Sequence, residues 1–264
     1  MNCLRSFAES IYAELVLRRL TNTPKHVAII QDGNRRYAKE HGMSVDMGHK
    51  LGADTTLRVL EWMKKLGIKH ITFYAFSTEN FKRDADEVDG LMELFVDKFT
   101  QMLSDPRVVD NKINVTVVGD RTLIPPHVLE KIEAVEERTK DFHDYYMHIA
   151  LAYGGRNEIV ETAKRVVSAY QNGEITLEEI TPEKITESMY PAGDMPPVDL
   201  ILRTANDRRT SNFLPWLANG NEAAVCFCVP TWPEFRYVDM VRALRTYDER
   251  MKNSAPATLP VNGL

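Results

Sequence analysis

The stretch HVAIIQDGNRRYA, residues 26–38, determines what fold we expect. Its first part, Val27–Ile30, is short, apolar and β-branched, which is typical of a buried strand. A carboxylate, a glycine, an amide and two guanidiniums follow directly, from Asp32 to Arg36. Ligands of open α/β sheets bind at the carboxyl ends of strands, and arginine binds phosphate oxygens two at a time. The stretch predicts an anion-binding turn after a strand, although a solvated polar turn explains it equally well when it is taken alone.

Asp32 indicates a metal ion at this turn. Its carboxylate would repel a bare phosphate, whereas Mg²⁺ is commonly held by one or two carboxylates together with substrate phosphates. We therefore expect Mg²⁺ as the cofactor.

The rest of the chain alternates apolar strands with helices. Further strands are predicted at residues 68–76, 113–118, 145–152, 198–202 and 222–229, and helices at 47–66, 87–103, 125–142, 156–170 and 237–251. The strands are apolar on both faces, which is typical of parallel sheets buried between helices. We expect an α/β fold in which helices cover both faces of a central six-stranded, mostly parallel sheet.

Arginines follow three of these strands. They are Arg35 and Arg36 after the first strand, Arg83 after the second, and Arg203, Arg208 and Arg209 after the fifth. Because the carboxyl ends of parallel strands lie at one edge of a sheet, the arginines should converge on an anionic ligand, such as a polyphosphate. The helix at 87–103 is rich in large apolar side chains, which indicates core packing or the wall of an apolar tunnel.

Composition predicts a cytoplasmic location and disfavours one class of function. The chain has 264 residues and a formal net charge of −5, so a general nucleic-acid binder, which would be basic, is disfavoured. Three cysteines form no disulfide framework and indicate a reducing compartment. No apolar run approaches the ~20 residues that span a bilayer.

Three parts of the chain are distinguished. Residues 1–22 form an amphipathic helix whose apolar positions include Phe7, Ile11 and Leu15. We expect this helix to pack on its own domain; a peripheral membrane contact is the alternative. Residues 23–252 form the main domain, and residues 253–264 a flexible tail.

Several common motifs are absent. The sequence has no GxxxxGK[ST] and no GxGxxG after a strand, so neither a P-loop nor a dinucleotide site is supported. The acidic cluster at residues 84–89 is interpreted as charge at a helix N-terminus rather than as a metal site.

Several segments together resemble one family. They are HVAIIQDGNRRYA, GHKLGA, YAFSTENFKR, DADEVDGLMELF, AYGGR, DLILRT with RRTSNFLPW, and TWPEF, in that order along the chain. They resemble the cis-prenyltransferases, which include the undecaprenyl and dehydrodolichyl diphosphate synthases, and are most similar to the archaeal and eukaryotic branch. The likeness runs from about residue 26 to residue 250.

The resemblance implies a function and an assembly. The chain would be a Mg²⁺-dependent prenyltransferase that condenses an allylic prenyl diphosphate with isopentenyl diphosphate, giving a polyprenyl diphosphate of medium length. A homodimer and an apolar tunnel beside the site are also implied.

The resemblance also implies residue roles. Asp32 corresponds to the Mg²⁺-linked aspartate at the allylic diphosphate, and Glu222 to a second acid that supports the metal. Asp32 and Asn80 are the catalytic candidates. The substrate-binding candidates are Gly33, Asn34, Arg36 and His49 at the diphosphates, Ser77, Phe81 and Arg83 in and beside the ENFKR motif, and Arg203, Arg209 and Ser211 at isopentenyl diphosphate.

The chain departs from the family pattern at four places. Gln31 replaces a usual methionine, and Val45 replaces an arginine used by many members on the allylic diphosphate, a charge that Arg35 is expected to supply. Thr204–Asp207 replaces T-[SG]-G-E, and the terminal Arg-x-Gly of many members is missing. A sister enzyme that joins prenyl diphosphates in another geometry, or uses another acceptor, therefore stays open. A non-catalytic partner subunit is ranked lower because the DGN aspartate is present.

Overall fold

The computed structural model describes residues 2–189, 195–219 and 223–254, and their side chains at 7–189, 195–218 and 223–253. The strands are β1 (His26–Ile30), β2 (His70–Ser77), β3 (Ile113–Val118), β4 (Tyr145–Tyr153), β5 (Leu200–Arg203) and β6 (Ala224–Phe227). The helices are α1 (Asn2–Leu17), α2 (Asn34–Glu40), α3 (Val45–Leu66), α4 (Ala85–Met102), α5 (Pro106–Val109), α6 (Pro126–Thr139), α7 (Gly155–Gln171), α8 (Pro182–Glu187), α9 (Pro215–Asn219) and α10 (Tyr237–Ser254).

The six strands form one sheet in the order β3-β4-β2-β1-β5-β6, and each neighbouring pair is parallel. The expected α/β fold is confirmed. β1 lies between β2 and β5, and its last residue, Ile30, is level with Tyr74 of β2 and Arg203 of β5. The segments that follow these three strands therefore leave the sheet side by side.

Side chains of the central strand alternate between two cores. Val27 and Ile29 belong to the larger core, which packs against helices including α3, α4, α6 and α10. Ala28 and Ile30 belong to a second core on the opposite face of the sheet, which includes Phe213. Helices cover both faces, as the apolar strands predicted.

Three short helices, α2, α5 and α9, were not predicted. The α2 sequence, NRRYAKE, spans only seven residues, and Ala38 is its one buried side chain. An apolar periodicity cannot be recognised over such a length. In contrast, α3 ends where expected, at Gly67 in the left-handed conformation with φ 71°.

The N-terminal helix α1 packs against α10. Ala13 and Val16 of α1 form a small buried cluster with Val241 of α10. Phe7 and Leu15, by contrast, are exposed. No helix within the described residues is long and apolar enough to cross a bilayer.

A buried polar row crosses the second face of the sheet. His26 Nε2 lies 2.7 Å from Thr72 Oγ1, and His148 Nδ1 lies 2.7 Å from Thr116 Oγ1. Burial lowers the pKa of His26 to about 4. Burial, aided by His26 and His70, also lowers the pKa of His148 well below its usual range. Both imidazoles are therefore neutral in the folded protein near pH 7.

This row predicts a loss of stability in mild acid. In the unfolded chain His26 has an ordinary pKa of 6.5, so the unfolded state binds more protons as the pH falls from 6.5 towards 4. The free energy of unfolding should decrease across that window, by about 3 kcal/mol for His26. Urea denaturation at about pH 7 and about pH 4.5 measures the difference. His26→Gln should reduce the pH dependence, and the exposed-site control His143→Gln should not. An unchanged dependence in His26→Gln would contradict this assignment.

Candidate active site

A polar cavity of about 550 Å³ opens at the carboxyl edge of the sheet. Its walls come from the ends of β1, β2 and β5 and from α3 and α4. Nine of the predicted site residues line it: Asp32, Asn34, His49, Ser77, Asn80, Arg83, Arg203, Arg209 and Ser211. Gly33, Arg35 and Arg36 line an adjoining pocket of about 240 Å³, which also includes Asp32 and Arg83. Arginines from all three strand ends therefore line these two pockets, as predicted, except Arg208, which lines neither.

The loop after β1 is held against the loop after β5. Gly33 has φ 105°, and a Cβ there would lie 2.8 Å from the Thr231 Cβ and 2.9 Å from the Ala205 Cβ. Only glycine fits this conformation and this close approach. The Arg36 guanidinium donates a hydrogen bond to the Ala205 carbonyl at 2.9 Å. The backbone between the two loops is therefore fixed without using the Asp32 side chain.

A buried guanidinium joins these loops at the floor of the cavity. Arg203 is 3 % exposed. Its Nη2 donates to Asp32 Oδ2 at 2.7 Å and to Asp207 Oδ2 at 3.0 Å, and its Nη1 donates to the Arg209 carbonyl at 2.7 Å. Its Nε is buried without a hydrogen-bond partner among the described residues. Arg203 thus holds two carboxylates and still has donor capacity.

The loop after β5 adopts a strained backbone. Five non-glycine residues have φ between 47° and 63°: Ala205, Asn206, Ser211, Asn212 and Leu214. Such conformations persist only where the surrounding structure enforces them, and they cluster at functional sites. Here they turn the chain so that Ser211 Oγ lies 3.2 Å from Arg209 Nε.

An acidic side chain that the sequence analysis did not select organises the other wall. Glu87 is in the first turn of α4, and its Oε1 lies 3.0 Å from Arg83 Nη1, 3.5 Å from His49 Nε2 and 3.7 Å from Arg35 Nε. The sequence interpretation assigned it to helix N-terminal charge. That interpretation holds for Asp84, which caps α4, but Glu87 points at three cationic or basic groups.

His49 is kept neutral at the junction of the cavity walls. Burial lowers its pKa and the Arg83 charge lowers it further, against the opposing effect of Glu87. Its Nε2, like Asn34 Oδ1, is buried without a hydrogen-bond partner in the described part of the chain. Asn34 packs closely against α3 because Gly52 of that helix has no side chain. A Cβ on Gly52 would lie only 2.4 Å from Asn34 Oδ1. Asn34 Oδ1 therefore remains available to a ligand, whereas His49 Nε2 keeps a 3.5 Å contact with the Glu87 carboxylate.

The segment after β2 is stabilised by contacts among its own residues and with the end of the strand. The Ser77 N–H donates to Asn80 Oδ1 at 2.9 Å, in a capping box. Phe81 packs edge-on against Phe76, with ring centroids 4.8 Å apart, and does not line the polar cavity. Its predicted contact with substrate therefore stays a prediction. Glu222, the predicted second acid, lies outside the described residues.

Tyr74 is a further wall residue that sequence reasoning missed. Its hydroxyl oxygen lies 3.2 Å from the Tyr153 carbonyl oxygen and 3.3 Å from the Ser211 carbonyl oxygen, so its one proton can be donated to either. Burial raises its pKa. The other missed residues at or beside the cavity are Glu79, Glu87, Asp207 and Asn212. All five lie in segments that the sequence analysis quoted, namely YAFSTENFKR, DADEVDGLMELF, Thr204–Asp207 and RRTSNFLPW, but nothing in those segments marked these particular side chains as site residues.

An apolar cavity of about 90 Å³ adjoins the polar one. The two share five lining residues: Gln31, Asn34, His49, Ala75 and Leu91. Behind them the apolar cavity continues between α3, α4 and the larger core, past Phe95 and Phe99. The arrangement therefore brings an arginine-lined polar cavity and an apolar cavity into contact.

Residues 30–255 match the family described as "Putative undecaprenyl diphosphate synthase". The chain belongs to this family. It is 43% identical over 229 residues to the geranylgeranyl-diphosphate-specific tritrans,polycis-undecaprenyl-diphosphate synthase of Methanosarcina mazei, covering 86% of this chain and 77% of that one. It is 45% identical over 243 residues to the enzyme of the same name from Halobacterium salinarum, covering 92% and 80%.

A solved structure shows the same fold. The lavandulyl diphosphate synthase from Lavandula x intermedia, in complex with dimethylallyl diphosphate, superposes with a TM-score of 0.80 at 30% identity, covering 86% of this chain and 95% of that one. The protein is thus a cis-prenyltransferase, an enzyme that condenses an allylic diphosphate with isopentenyl diphosphate.

The contacts of Glu87 with Arg83 and His49 lead to a testable prediction for this prenyltransferase. Glu87→Gln removes the only carboxylate found within 4 Å of Arg83 and His49 among the described residues. Hydrogen bonds to charged groups contribute about 1.5–3 kcal/mol, so kcat/KM should fall by roughly 10- to 100-fold. Diphosphate release at several concentrations of each substrate measures kcat and KM separately.

Asp86→Asn is the matched control, because Asp86 is an exposed acid in the same first turn of α4. Its kcat/KM should stay near the parent value. Equal losses in the two variants would mean that the charge of the helix N-terminus matters and the Glu87 contacts do not.

Proposed function

We propose that the enzyme elongates geranylgeranyl diphosphate with isopentenyl diphosphate, in cis additions, to a polyprenyl diphosphate of medium length such as undecaprenyl diphosphate. The observation that carries this proposal is the meeting of Asp32, Arg83 and Arg203 on one polar cavity that touches an apolar one. Support for the primer comes from the names of the relatives that are 43% and 45% identical.

The two diphosphates would bind on opposite sides of Asp32. The pocket beside the α2 N-terminus has Gly33, Arg35 and Arg36 in its lining and suits the allylic diphosphate. The loop after β5, with Arg209 and Ser211 next to the buried Arg203, suits isopentenyl diphosphate. Arg35 is exposed and lies in the first pocket, so it is available to supply the charge that Val45 lacks.

The donor set at Asp32 fits Mg²⁺. Asp32 Oδ2 is engaged by Arg203, but the side chain stays about one-third exposed and lines both polar pockets. The described residues contain no group of three acids, histidines or cysteines that could hold a metal by themselves. This pattern suits an ion that takes one carboxylate from the protein and the rest of its ligands from phosphate and water. When bound, Mg²⁺ would neutralise negative charge on the leaving diphosphate.

The protein groups would stabilise the same charge. As the allylic C–O bond breaks, negative charge grows on the departing diphosphate, and Arg36 and Arg83 are the nearby guanidiniums. The C4 carbon of isopentenyl diphosphate then attacks the allylic cation, and a proton is lost. Asn80, fixed by its bond to Ser77, would orient the substrates. The growing hydrocarbon would pass Ala75 and Leu91 into the apolar cavity.

Asp32→Ala tests the proposal. Turnover with geranylgeranyl diphosphate, isopentenyl diphosphate and Mg²⁺ should fall by ~10²–10³, which is typical for the loss of one charge-stabilising group. The exposed-acid control Asp141→Ala should keep the parent rate. Labelled product and released diphosphate are both measured. Near-normal turnover of Asp32→Ala would refute the role of Asp32.

A second reaction is favoured by one observation. The structural match to a lavandulyl diphosphate synthase supports a sister enzyme that joins prenyl diphosphates in another geometry. Its identity is 30%, against 45% for the Halobacterium relative, so we rank it second. Product formed from labelled allylic diphosphate alone, with isopentenyl diphosphate left out, would favour this second reaction.

We also propose a homodimer that forms at the β6 edge of the sheet, where Val225 and Val229 are exposed. A membrane surface is the proposed contact for the exposed Phe7, Ile11 and Leu15 of α1. Sedimentation of the protein alone, and with lipid vesicles, tests both; a monomer that stays in the supernatant would exclude them.

A further inference from the structure

Two cysteines lie side by side at the end of the edge strand β6. The Cys226 Sγ is 3.9 Å from the Cys228 Sγ, and both thiols are free. Successive side chains of a strand point to opposite faces, so the two sulfurs share one face of the sheet. This face packs against α10, where Thr246 Oγ1 lies 3.9 Å from Cys226 Sγ. The exposed side chain of Val225 is on the other face.

The two thiols differ in their surroundings. Cys226 is half-buried and Cys228 is buried. The Cys228 thiol, as a donor to Cys226 Sγ, lowers the pKa of Cys226, and the Thr246 hydroxyl lowers it further against the opposing effect of burial. The same contact between the sulfurs, together with burial, raises the pKa of Cys228. Cys226 therefore has the greater thiolate character, and the thiolate is the form of cysteine that reacts with peroxides.

The Cys228 backbone supports the loop after β5. The Cys228 N–H donates to the Arg203 carbonyl at 2.7 Å, and the Asn206 N–H donates to the Cys228 carbonyl at 2.8 Å. The Arg203 guanidinium lies at the floor of the polar cavity, where it holds Asp32. A displacement of Cys228 is therefore transmitted to the backbone that positions this guanidinium.

A bond between the two sulfurs would move Cys228. Disulfide sulfurs are ~2.05 Å apart, so the two sulfurs must approach each other by roughly 2 Å. Two residues of a strand span ~6.6 Å, which is near the upper limit of the ~4.4–6.8 Å between the Cα atoms of disulfide-bonded residues. Because β6 ends at Phe227, the backbone at Cys228, just beyond the strand, would take up the change. Strained disulfides are easily reduced, which suits a reversible bond rather than a structural one.

We propose that Cys226 and Cys228 are an oxidation site for hydroperoxides, and that their disulfide displaces the Arg203 backbone and slows the enzyme. The oxidation site goes beyond the proposed function, whereas its effect on turnover rests on the proposed elongation reaction.

The oxidation takes two steps. The Cys226 thiolate attacks an oxygen atom of the hydroperoxide, the O–O bond breaks, and the sulfur becomes a sulfenic acid. With hydrogen peroxide the leaving group is hydroxide, which takes up the proton that the Cys226 thiol had lost. The Cys228 sulfur then attacks the Cys226 sulfur, the S–O bond breaks as the S–S bond forms, and the Cys228 proton leaves with the oxygen as water. The two thiols together lose two hydrogen atoms, and the peroxide is reduced to two water molecules.

Hydrogen peroxide tests the proposal on the whole protein. Reduced enzyme, freed of reductant, is treated with peroxide; its mass should fall by about 2 Da, and peptide mapping should place the bond between Cys226 and Cys228. Turnover with geranylgeranyl diphosphate, isopentenyl diphosphate and Mg²⁺ should fall by roughly 10-fold, because a shift of about 1 Å in a site can cost up to ~10²-fold. Dithiothreitol should restore both the mass and the turnover.

Three variants locate the effect. Cys226→Ser should keep its turnover in peroxide, because the reactive thiolate is gone. Cys228→Ser should stop at the sulfenic acid of Cys226, which dimedone traps. Cys3→Ser, the matched control, removes the remaining cysteine and should keep both the bond and the inhibition. Thermal unfolding of each variant establishes that it is folded.

The outcomes separate this inference from the proposed function. Oxidised enzyme without a bond between Cys226 and Cys228 would overturn the inference, and so would a bond that leaves turnover unchanged. Equal inhibition of Cys226→Ser would also overturn it, because oxidation elsewhere would then be responsible. The bond is mapped without substrate, so a parent enzyme that forms it but makes no polyprenyl product would overturn the proposed function and the effect on turnover, and not the oxidation site.

Discussion

The contact between Arg203 and Asp32 is the constraint on which the site depends. It joins the ends of two adjacent parallel strands through a buried guanidinium at 2.7 Å. Breaking a buried ion pair by removing one partner commonly costs about 3–5 kcal/mol, because the other charge is left unpaired. Asp32 and Arg203 therefore fix each other, and the cavity floor presents a carboxylate and a cation in a defined arrangement before any substrate binds.

The surrounding backbone holds Asp32 and Arg203 close enough to stay in contact. Gly33 allows the β1 turn to approach Ala205 and Thr231 more closely than a side chain would permit. The loop after β5 keeps several non-glycine residues at positive φ, and the Tyr74 hydroxyl bonds to the carbonyl of one of them, Ser211. Strain in this loop is tolerated because strand pairing, the Arg36 bond and the buried Arg203 all restrain it.

Charged side chains are distributed unevenly between the polar cavity and the apolar cavity. The polar chamber pairs its arginines with Asp32, Glu87 and Asp207, so no guanidinium is left as an isolated buried charge. Incoming diphosphates can take over these partners and gain charge-assisted hydrogen bonds. In the apolar cavity the only lysine, arginine or acid that lines it in the described part of the chain is Lys98. Charged groups therefore line one of two adjoining cavities, and mainly apolar side chains line the other.

The sequence by itself determined the layered fold and most of the site. An alternation of apolar strands and helices is compatible with few folds other than a parallel sheet covered by helices. Because the strands are parallel, Asp32, Arg83 and Arg203, which follow three of them, lie at one edge of the sheet. The departures at Gln31 and Val45 were also visible in the sequence.

Only the tertiary structure revealed the contacts of residues that the sequence analysis did not select as site candidates. Glu87 looked like any acid at a helix start, and its turn towards Arg83 and His49 depends on how α4 packs beside α3. Lys98 was not singled out in the sequence, and its place in the lining of the apolar cavity depends on how the same two helices pack. The positions and periodicity of strands and helices depend mainly on local chemistry, which a sequence displays directly. The distance between side chains far apart in the chain is set by packing, which follows only when the whole core has formed.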